Sequence, residues 1–398
     1  MAVVQGAGRL PDRRWEPVRV LVCTDTYTHQ TNGVVAVLGT LVAGVRRLGH
    51  EVRVLAPSDG RRSRRSGDDR LVRSVPAPYY PGERLCLARW DPLLDELVSW
   101  RPDLVHVHTE GMVGRMGVRL AKAVGAPLVV TSHTDFYKFA FGRLHASPPA
   151  RLAAKAFGRG LYPHADAIVV PSEKARRAYW LQPYADRVTV IPGGICLEQF
   201  QRPMSRGDRG ALLRQHGLED GGCTLVMVTR VSREKNIAEI LRHFPSLLRA
   251  VPGAQLLVVG DGPYRRRLEG QCARSGISER VRFVGGVDHA DVYRYYKLGD
   301  AFVSASTFET QGMTYLEAMA CGLPLVCRRD ACLEGVLDDG ENGFLYEDRQ
   351  GYVDAVSRVL LDKGLRAAMG AKALEKAGEH GEGRFMERTM ALYEKLLT

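Results

Sequence analysis

The chain lacks the features of a membrane-spanning or secreted protein. None of its apolar runs reaches the roughly 18 residues that a transmembrane helix requires. The N-terminal residues contain no apolar core of the kind that defines a signal peptide. The 8 cysteines are scattered, with no CxxC pair and no spacing typical of a zinc site. We therefore expect a cytoplasmic protein with reduced, mostly buried cysteines.

Net positive charge is nearly absent from the second half of the chain. Residues 1–200 contain 28 Lys and Arg against 18 Asp and Glu, whereas residues 201–398 contain 28 against 27. A basic surface attracts an anionic partner such as a membrane lipid, a nucleic acid or a phosphorylated substrate, although an arginine-rich solvated surface has the same composition. Basic residues are not interleaved with aromatic ones, so a nucleic-acid partner is not expected.

The length of 398 residues is too great for one ordinary core, which predicts two domains. In both halves, short apolar runs typical of buried strands alternate with segments of helical periodicity. This alternation predicts an α/β fold in which two doubly wound domains face each other across a cleft. In such sheets ligands bind at the carboxyl ends of the strands, so the loops after the strands are the expected sites.

The most informative stretch, residues 301–327, reads as a strand, a polar loop, a helix and a second strand. Glu309 lies on the predicted loop and Glu317 inside the predicted helix. Carboxylates accept several hydrogen bonds, which is what a polyhydroxylated ligand requires. Gly312 allows the backbone to approach a ligand closely before the helix, whose first N–H groups suit an anion.

Within this stretch, FETQGMTYLEAMACGLPLV resembles the donor-site signature of retaining glycosyltransferases of family 4, which have the GT-B fold of two facing Rossmann-like domains. It is most similar to bacterial 1,2-diacylglycerol 3-glucosyltransferases, and the resemblance extends over most of the chain. The resemblance implies that Glu309 contacts the transferred sugar and that Glu317 holds the ribose of the nucleotide. The adjoining donor-site residues would be Gly312, Met313 and Thr314.

The resemblance also implies a division of the chain. A Rossmann-like acceptor-binding domain over residues 1–195 and a linker over residues 196–206 would precede a nucleotide-sugar-binding domain over residues 207–383. The last helix, over residues 384–398, would cross back to the first domain.

Two cations follow the first predicted strand of the second domain. TRVSREKN (229–236) resembles the family's phosphate-binding motif GR(L/V)xxEKN, with Thr229 in place of the usual glycine. The resemblance assigns Arg230 and Lys235 to the donor diphosphate. Cations suit this position because the leaving nucleoside diphosphate gains negative charge as the glycosidic bond breaks.

Glycines at other strand ends fit the same family pattern. Gly33, in a βα turn of the first domain, would approach the donor diphosphate, and Gly260 and Gly262 in the second domain would allow a close backbone approach to the nucleotide. The family commonly has two glycines at the first of these turns, and this chain keeps one, preceded by Asn32. In relatives the backbone near Val287 frames the base, a contact that does not distinguish uracil from guanine.

His133 follows a buried strand of the first domain, a place where a histidine is more often a structural hydrogen-bonding residue than a catalytic one. The segment HTDFY (133–137) nevertheless resembles a family segment whose histidine touches the donor sugar. We therefore expect a catalytic role for His133.

Two basic segments of the first domain are candidates for contact with an anionic membrane or with the acceptor. Arg151, Lys155 and Arg159 recur at helical spacing beside apolar residues, as in a helix that lies at a membrane interface. A helix docked on its own domain gives the same pattern. The six arginines between residues 61 and 73 indicate a mobile solvated connection and are a secondary membrane candidate.

The chain contains no Asp-x-Asp, the usual metal ligand of the other large glycosyltransferase fold. We therefore predict a reaction without a metal or other cofactor, in which cations and helix N-termini stabilise the leaving group. The resemblance implies glucosyl transfer from UDP-glucose to diacylglycerol, with retention of configuration, by a protein bound peripherally to the inner face of the cell membrane. Alternatives are GDP-mannose with phosphatidylinositol, a soluble sugar or phosphorylated alcohol as acceptor, and a GT-B-like epimerase or phosphorylase.

Overall fold

The computed structural model of the protein describes residues 16–27, 33–76, 84–86, 91–133, 160–221 and 223–398. These residues form two compact units. The first unit contains the described residues up to Gly194 together with Glu382–Thr398, and the second contains Ile195–Gly381. Each unit is an α/β structure built on a mainly parallel sheet.

An eight-stranded sheet forms the centre of the first unit. The strands of this unit are β1 (Arg19–Cys23), β2 (Glu51–Pro57), β3 (Arg64–Ser66), β4 (Asp69–Val72), β5 (Ser74–Pro76), β6 (Arg84–Cys86), β7 (Leu104–Val107), β8 (Leu128–Thr131), β9 (Ala167–Val170) and β10 (Val188–Val190). The sheet has the order β10-β9-β8-β7-β1-β2-β4-β3, and β5 pairs separately with β6. Every residue of β7, β8 and β9 is buried, as expected for parallel strands covered on both faces.

The helices of this part of the chain are α1 (Gly33–Arg47), α2 (Leu93–Trp100), α3 (Met112–Val124) and α4 (Glu173–Arg176). The buried apolar face of α1 consists of Val37, Leu38, Leu41, Val42 and Val45. The Asp25 carboxylate, which follows β1, stabilises the start of α3. It accepts hydrogen bonds from the backbone N–H groups of Val113 at 2.9 Å and Gly114 at 3.4 Å, which have no partner inside the helix.

The arginine-rich segment between residues 61 and 73 contains a hairpin where the sequence predicted an irregular connection, and all of its arginines except Arg70 are exposed, as the sequence predicted. Strands β3 and β4 pair there in antiparallel fashion. Arg65 Nη2 donates to the Glu96 carboxylate of α2 at 2.5 Å, and Arg70 Nε donates to the same carboxylate at 2.9 Å. Part of the basic charge that suggested a membrane surface is therefore paired with an acidic residue of a neighbouring helix, at an exposed side chain for Arg65 and a largely buried one for Arg70.

The second unit contains a six-stranded sheet in which all neighbours run parallel. Its strands are β11 (Cys223–Val228), β12 (Ala254–Val259), β13 (Val281–Gly285), β14 (Ala301–Ser304), β15 (Leu325–Arg328) and β16 (Gly343–Tyr346). Their order is β13-β12-β11-β14-β15-β16. The strand order therefore reverses between β11 and β14, and a doubly wound sheet binds its ligand at such a switch point.

Helices cover both faces of this sheet. They are α5 (Leu197–Gln201), α6 (Arg206–Gln215), α7 (Ile237–Ala250), α8 (Arg265–Arg274), α9 (Val292–Tyr296), α10 (Met313–Ala320), α11 (Arg349–Leu361) and α12 (Lys363–Gly378). Alternate strand residues face alternate cores: Leu225 and Met227 pack with α7, α8 and α11, whereas Val226 packs with α5, α6, α9 and α10.

The last helix, α13 (Glu382–Leu397), packs within the first unit. The Met386 side chain lies against Gly44 of α1, so closely that a Cβ at Gly44 would lie 2.4 Å from the methionine sulfur. Arg47 of α1 forms an ion pair with Glu382, and the Tyr393 hydroxyl lies 2.6 Å from His106 Nδ1. None of the helices in the described part of the chain has both the length and the apolar character needed to cross a bilayer.

Candidate functional site

The loops that follow β11, β12, β13 and β14 carry most of the predicted donor residues. These four strands are adjacent and parallel, so their carboxyl ends share one edge of the second unit's sheet, here called the donor edge. The predicted residues on these loops and at the start of α10 are Arg230, Lys235, Gly260, Gly262, Val287, Glu309, Gly312, Met313 and Thr314. The fold thus brings together residues that are separated by up to about 85 positions, as the binding of one ligand at a switch point requires.

Lys235 and Glu309 form an ion pair at the centre of the donor edge. Lys235 Nζ donates to Glu309 Oε1 at 2.5 Å, and the two side chains are 22% and 16% exposed. Lys235 follows β11 and Glu309 follows β14, so the pair lies at the switch point of the sheet. The ammonium group suits phosphate oxygens and the carboxylate suits sugar hydroxyls, so the pair can face both parts of a nucleotide sugar.

The backbone after Lys235 is fixed by Asn236, which the sequence interpretation did not single out. Asn236 has a φ of 53°, in the left-handed region that asparagine tolerates better than most residues. Its Nδ2 donates to Glu239 Oε2 at 2.8 Å and to the Ala305 carbonyl at 3.3 Å. Because Ala305 follows β14, this side chain joins the loops that carry the two partners of the ion pair.

Gly260 and Gly262 have a packing role at the donor edge. A Cβ on Gly260 would lie 2.0 Å from the Thr229 carbonyl oxygen, and one on Gly262 would lie 2.3 Å from that of Val231. The two loops also share a backbone hydrogen bond, from Val231 N–H to the Asp261 carbonyl at 3.0 Å. These glycines therefore let the loop after β12 approach the loop after β11, whereas the sequence suggested a close approach to the nucleotide.

Gly312, which precedes α10, has a φ of 75°. A Cβ there would lie 2.4 Å from the ring of Tyr315, so any other residue would disturb the start of the helix. Met313 and Thr314 are the first residues of α10 and are partly buried. Their position gives the donor edge a helix N-terminus beside Glu309.

Glu317 is buried inside α10, with its side chain 7% exposed. The Tyr296 hydroxyl donates to Glu317 Oε2 at 2.7 Å, and His289 Nε2 lies 3.2 Å from Glu317 Oε1. The hydrogen bond to Glu317 raises the pKa of His289 above its usual value. The sequence interpretation missed both partners, because neither belongs to a motif and each meets Glu317 only through the fold.

The remaining predicted residues of the second unit lie at its surface. Arg230 is exposed immediately after β11, and Val287 is partly buried on the loop after β13. Both therefore lie on the donor edge with side chains or backbone accessible to a ligand.

In the first unit, His133 belongs to a group of three histidines, here called the histidine cluster. His133 Nε2 lies 2.9 Å from His108 Nδ1, and the His108 ring lies 3.9 Å from that of His106. Burial lowers the pKa of His133 to about 4 and that of His106 to about 3, and it holds the pKa of His108 well below its usual value. All three imidazoles are therefore neutral at neutral pH.

A buried carboxyl group lies at the same sheet edge. Glu110 follows β7, and its Oε1 accepts hydrogen bonds from the Tyr162 hydroxyl at 2.7 Å and from Ser132 Oγ at 3.2 Å. Burial raises the pKa of Glu110. The sequence interpretation did not identify this residue, although its position directly after a buried strand was a usable signal.

Several predicted site residues lie outside the described residues or belong to the first unit. Arg151, Lys155 and Arg159 lie outside the described residues, as does Asn32. Gly33 is the first residue of α1 and is exposed. In the described ranges, no group of three or more His, Cys, Asp and Glu residues could hold a metal ion, and metal independence stays a prediction.

Models of glycosyltransferase families match both halves of the chain. The family model described as "Glycosyltransferase Family 4" matches residues 31–199, and "Glycosyl transferases group 1" matches residues 208–376. The chain is 31% identical over 349 residues to the alpha-monoglucosyldiacylglycerol synthase of Streptococcus pneumoniae, an alignment that covers 86% of this chain and 78% of the relative. The synthase of the same name from Acholeplasma laidlawii is 28% identical, with 84% and 86% covered.

A solved structure shares the fold. HepE from Anabaena, in complex with UDP-glucose, matches with a TM-score of 0.74 and 19% sequence identity, over 95% of this chain and 99% of HepE. At this level of identity, the likeness bears on architecture alone.

Proposed function

The chain belongs to family 4 of the glycosyltransferases, and we propose that it transfers a glucosyl unit from UDP-glucose to diacylglycerol without a metal ion. Its two Rossmann-like domains have the GT-B fold, so the fold predicted from the sequence is confirmed. The prediction of a glycosyltransferase is confirmed as well. The sugar, the acceptor, the stereochemistry and the membrane location are the proposed part.

The observation that carries the proposal is the Lys235–Glu309 pair at the switch point of the donor edge. In the proposed reaction, Lys235 and Arg230 bind the diphosphate and stabilise the charge that it gains on leaving. Glu309 accepts hydrogen bonds from the sugar hydroxyls, and its negative charge favours the positive charge that develops on the sugar ring. Because Glu309 Oε1 already accepts a hydrogen bond from Lys235 Nζ, we assign Glu309 to binding and electrostatic stabilisation rather than to nucleophilic attack.

The proposed acceptor rests on similarity and charge. The relatives from Streptococcus pneumoniae and Acholeplasma laidlawii are named as synthases of alpha-monoglucosyldiacylglycerol. Residues 1–200 of this chain also carry nearly all of its net positive charge. We propose that this half binds the lipid acceptor at an anionic membrane surface, facing the cytoplasm.

We further propose that the anomeric configuration is retained by attack on the same face that the diphosphate leaves. In this mechanism the leaving phosphate accepts the proton of the acceptor hydroxyl, so the C1–O bond to the diphosphate breaks as the new glycosidic bond forms. Cations and helix N-termini supply the charge stabilisation that a metal ion supplies elsewhere.

The direct test offers UDP-glucose and GDP-mannose separately to the purified protein in the presence of EDTA. Each donor is assayed with and without vesicles of diacylglycerol and anionic phospholipid. The proposal expects UDP release and an α-linked glucolipid that both depend on the vesicles. UDP release without vesicles would indicate a soluble acceptor, and turnover of GDP-mannose alone would indicate a mannosyltransferase. Loss of all turnover in EDTA would overturn metal independence.

A further inference from the structure

We propose that His108 is a positioning residue that fixes the tautomer of His133. His108 donates from Nδ1–H to His133 Nε2, so His133 carries its own proton on Nδ1. The importance of this for catalysis rests on the proposed function, in which His133 contacts the donor sugar. The tautomer itself follows from the contacts of the histidine cluster.

The hydrogen bond between the His108 and His133 rings contains one proton, which belongs to one of the two nitrogens. Burial keeps both histidines neutral at neutral pH, because their pKa values are lowered in the folded protein. A neutral imidazole has one N–H group and one bare nitrogen. The separation of 2.9 Å between His108 Nδ1 and His133 Nε2 is that of a hydrogen bond, so one ring donates and the other accepts.

The second nitrogen of His108 decides which ring donates. His108 Nε2 is buried and has no hydrogen-bond partner among the residues that the structure describes. If His133 donated, His108 would carry its proton on Nε2 and leave a buried N–H group unpaired, which folded proteins avoid. If His108 donates from Nδ1, the unpaired Nε2 is a bare lone pair, and unsatisfied acceptors are tolerated better than unsatisfied donors.

The neighbouring ring of His106 holds His108 in this orientation. The two ring centroids lie 3.9 Å apart, and the planes are inclined by 37°. Both nitrogens of His106 are occupied, Nδ1 by the Tyr393 hydroxyl at 2.6 Å and Nε2 by Thr131 Oγ1 at 2.7 Å. His108 therefore lies between a ring fixed on both sides and the nearly parallel ring of His133, whose centroid lies 5.2 Å away.

The assigned tautomer limits what His133 can do in the reaction. Its Nε2 is occupied as an acceptor, so it is not available as a base for the acceptor hydroxyl. Its proton lies on Nδ1, and because burial lowers the pKa of His133 to about 4, the ring stays neutral at neutral pH. His133 would thus contact the donor as a neutral ring, and the proton of the acceptor would leave by another route.

The first test reads the tautomer without any substrate. The protein is labelled with ¹⁵N-histidine, and the ring resonances of His133 are assigned with His133→Gln. The proposal expects an Nδ1–H tautomer for His133 in the wild type and its loss in His108→Phe, which keeps a ring but removes the donor. An Nε2–H tautomer of His133 in the wild type would overturn the proposal, whether or not the proposed reaction occurs.

The second test separates positioning from packing. The amide nitrogen of Asn can replace a histidine Nδ1–H, so His108→Asn should retain the His133 tautomer. We expect His108→Phe to lower kcat/KM for the donor on the order of 10- to 100-fold, as for other residues that orient a functional histidine. His108→Asn should recover most of this loss, although Phe fills the buried space better. If Phe is tolerated and Asn is not, His108 is a packing residue and the proposal is wrong.

The matched control is His50→Phe. His50 is another buried histidine of the first unit, and its Nδ1 accepts a hydrogen bond from the Val18 N–H at 3.3 Å. We expect this variant to keep the His133 tautomer and the activity of the wild type. If His108→Phe fails to fold, the wild-type spectrum and His108→Asn still decide the assignment.

Discussion

The two sheet edges of this protein handle polar groups in opposite ways. The donor edge of the second unit keeps ionic partners together, as in the partly exposed pair Lys235–Glu309 and in the pair of half-exposed His289 with buried Glu317. The edge of the first unit after β7 and β8 buries His106, His108 and Glu110, and burial lowers the pKa of the two histidines and raises that of Glu110. The two edges therefore satisfy their polar groups by different means, the donor edge by ion pairs and the edge of the first unit by hydrogen bonds between buried side chains.

The largest effect is expected from Glu309→Gln, which tests the ionic side of the comparison. The substitution keeps the size of the side chain but removes the negative charge beside Lys235. We expect turnover to fall by roughly 100- to 1,000-fold, the usual effect of removing one preorganised electrostatic group, while UDP still binds. Turnover assays and calorimetry with UDP measure the two effects. Glu347→Gln, at a carboxylate that pairs with Arg329 at the surface, is the control. Unchanged turnover in Glu309→Gln would remove Glu309 from the reaction.

Acid should weaken the first unit through its buried histidines. In the folded state, burial lowers the pKa of His106 to about 3 from about 6.5 in the unfolded chain. Stability that is present above pH 6.5 is therefore lost as the pH falls towards 3, because the unfolded state binds more protons. For each such histidine, the population of the open state should rise by about tenfold per pH unit.

Hydrogen exchange of the wild type and His106→Gln between about pH 6.5 and pH 4 would measure this effect. Asp25 and Glu110 have raised pKa values, so acid stabilises the folded state through them. The prediction therefore concerns the difference in protection between the wild type and His106→Gln. We expect protection of β7 and β8 to fall more steeply with acid in the wild type. If protection falls equally with acid in the wild type and in His106→Gln, protonation of His106 is not the cause of the lost stability.

Lys235→Met tests whether the donor edge binds the diphosphate. Loss of a hydrogen bond to a charged partner costs about 1.5–3 kcal/mol, so affinity for UDP should fall by roughly 10- to 150-fold. Calorimetry with UDP and with uridine separates a diphosphate contact from a nucleoside contact, and only UDP should lose affinity. Lys372→Met is the control, since Lys372 pairs with Glu375 on an exposed helix face. Equal losses for UDP and uridine would place Lys235 away from the phosphates.

The smallest effect is expected at His289. Glu317 raises the pKa of His289, so the stability from this contact is fully present below pH 6.5 and is lost as the pH rises through the raised value. Because His289 is 41% exposed, solvent screening should keep the effect of His289→Gln below about 1 kcal/mol. Urea unfolding at about pH 5.5 and pH 8.5 should show destabilisation only at the lower pH.

His243→Gln is expected to change the stability of the second unit in the opposite direction at low pH. Burial lowers the pKa of His243, so its replacement should stabilise the second unit in acid. If His289→Gln and His243→Gln change the free energy of unfolding in the same direction at low pH, the contact of His289 with Glu317 is not the cause of the pH dependence.

Much of the fold and the position of the donor edge could be predicted from the sequence. The apolar runs before Lys235, Gly260 and Glu309 correspond to β11, β12 and β14, because buried parallel strands need continuous apolar sequence. Sequence reasoning could not find His289 or Tyr296 beside Glu317, since neither lies in a recognisable pattern. It also missed the hairpin after residue 60 and the pairing of Arg65 and Arg70 with Glu96, because Glu96 lies on a helix that is remote in sequence.

By itself, the sequence determined the alternation of strands and helices, the family and the loops that carry the donor residues, because these depend on local patterns. Only the tertiary structure decided which side chains meet. Lys235 and Glu309 are 74 residues apart, and His106 and Tyr393 are 287 residues apart. Such contacts form only when packing places two groups within a few tenths of an ångström of hydrogen-bonding distance, and no local pattern specifies that placement.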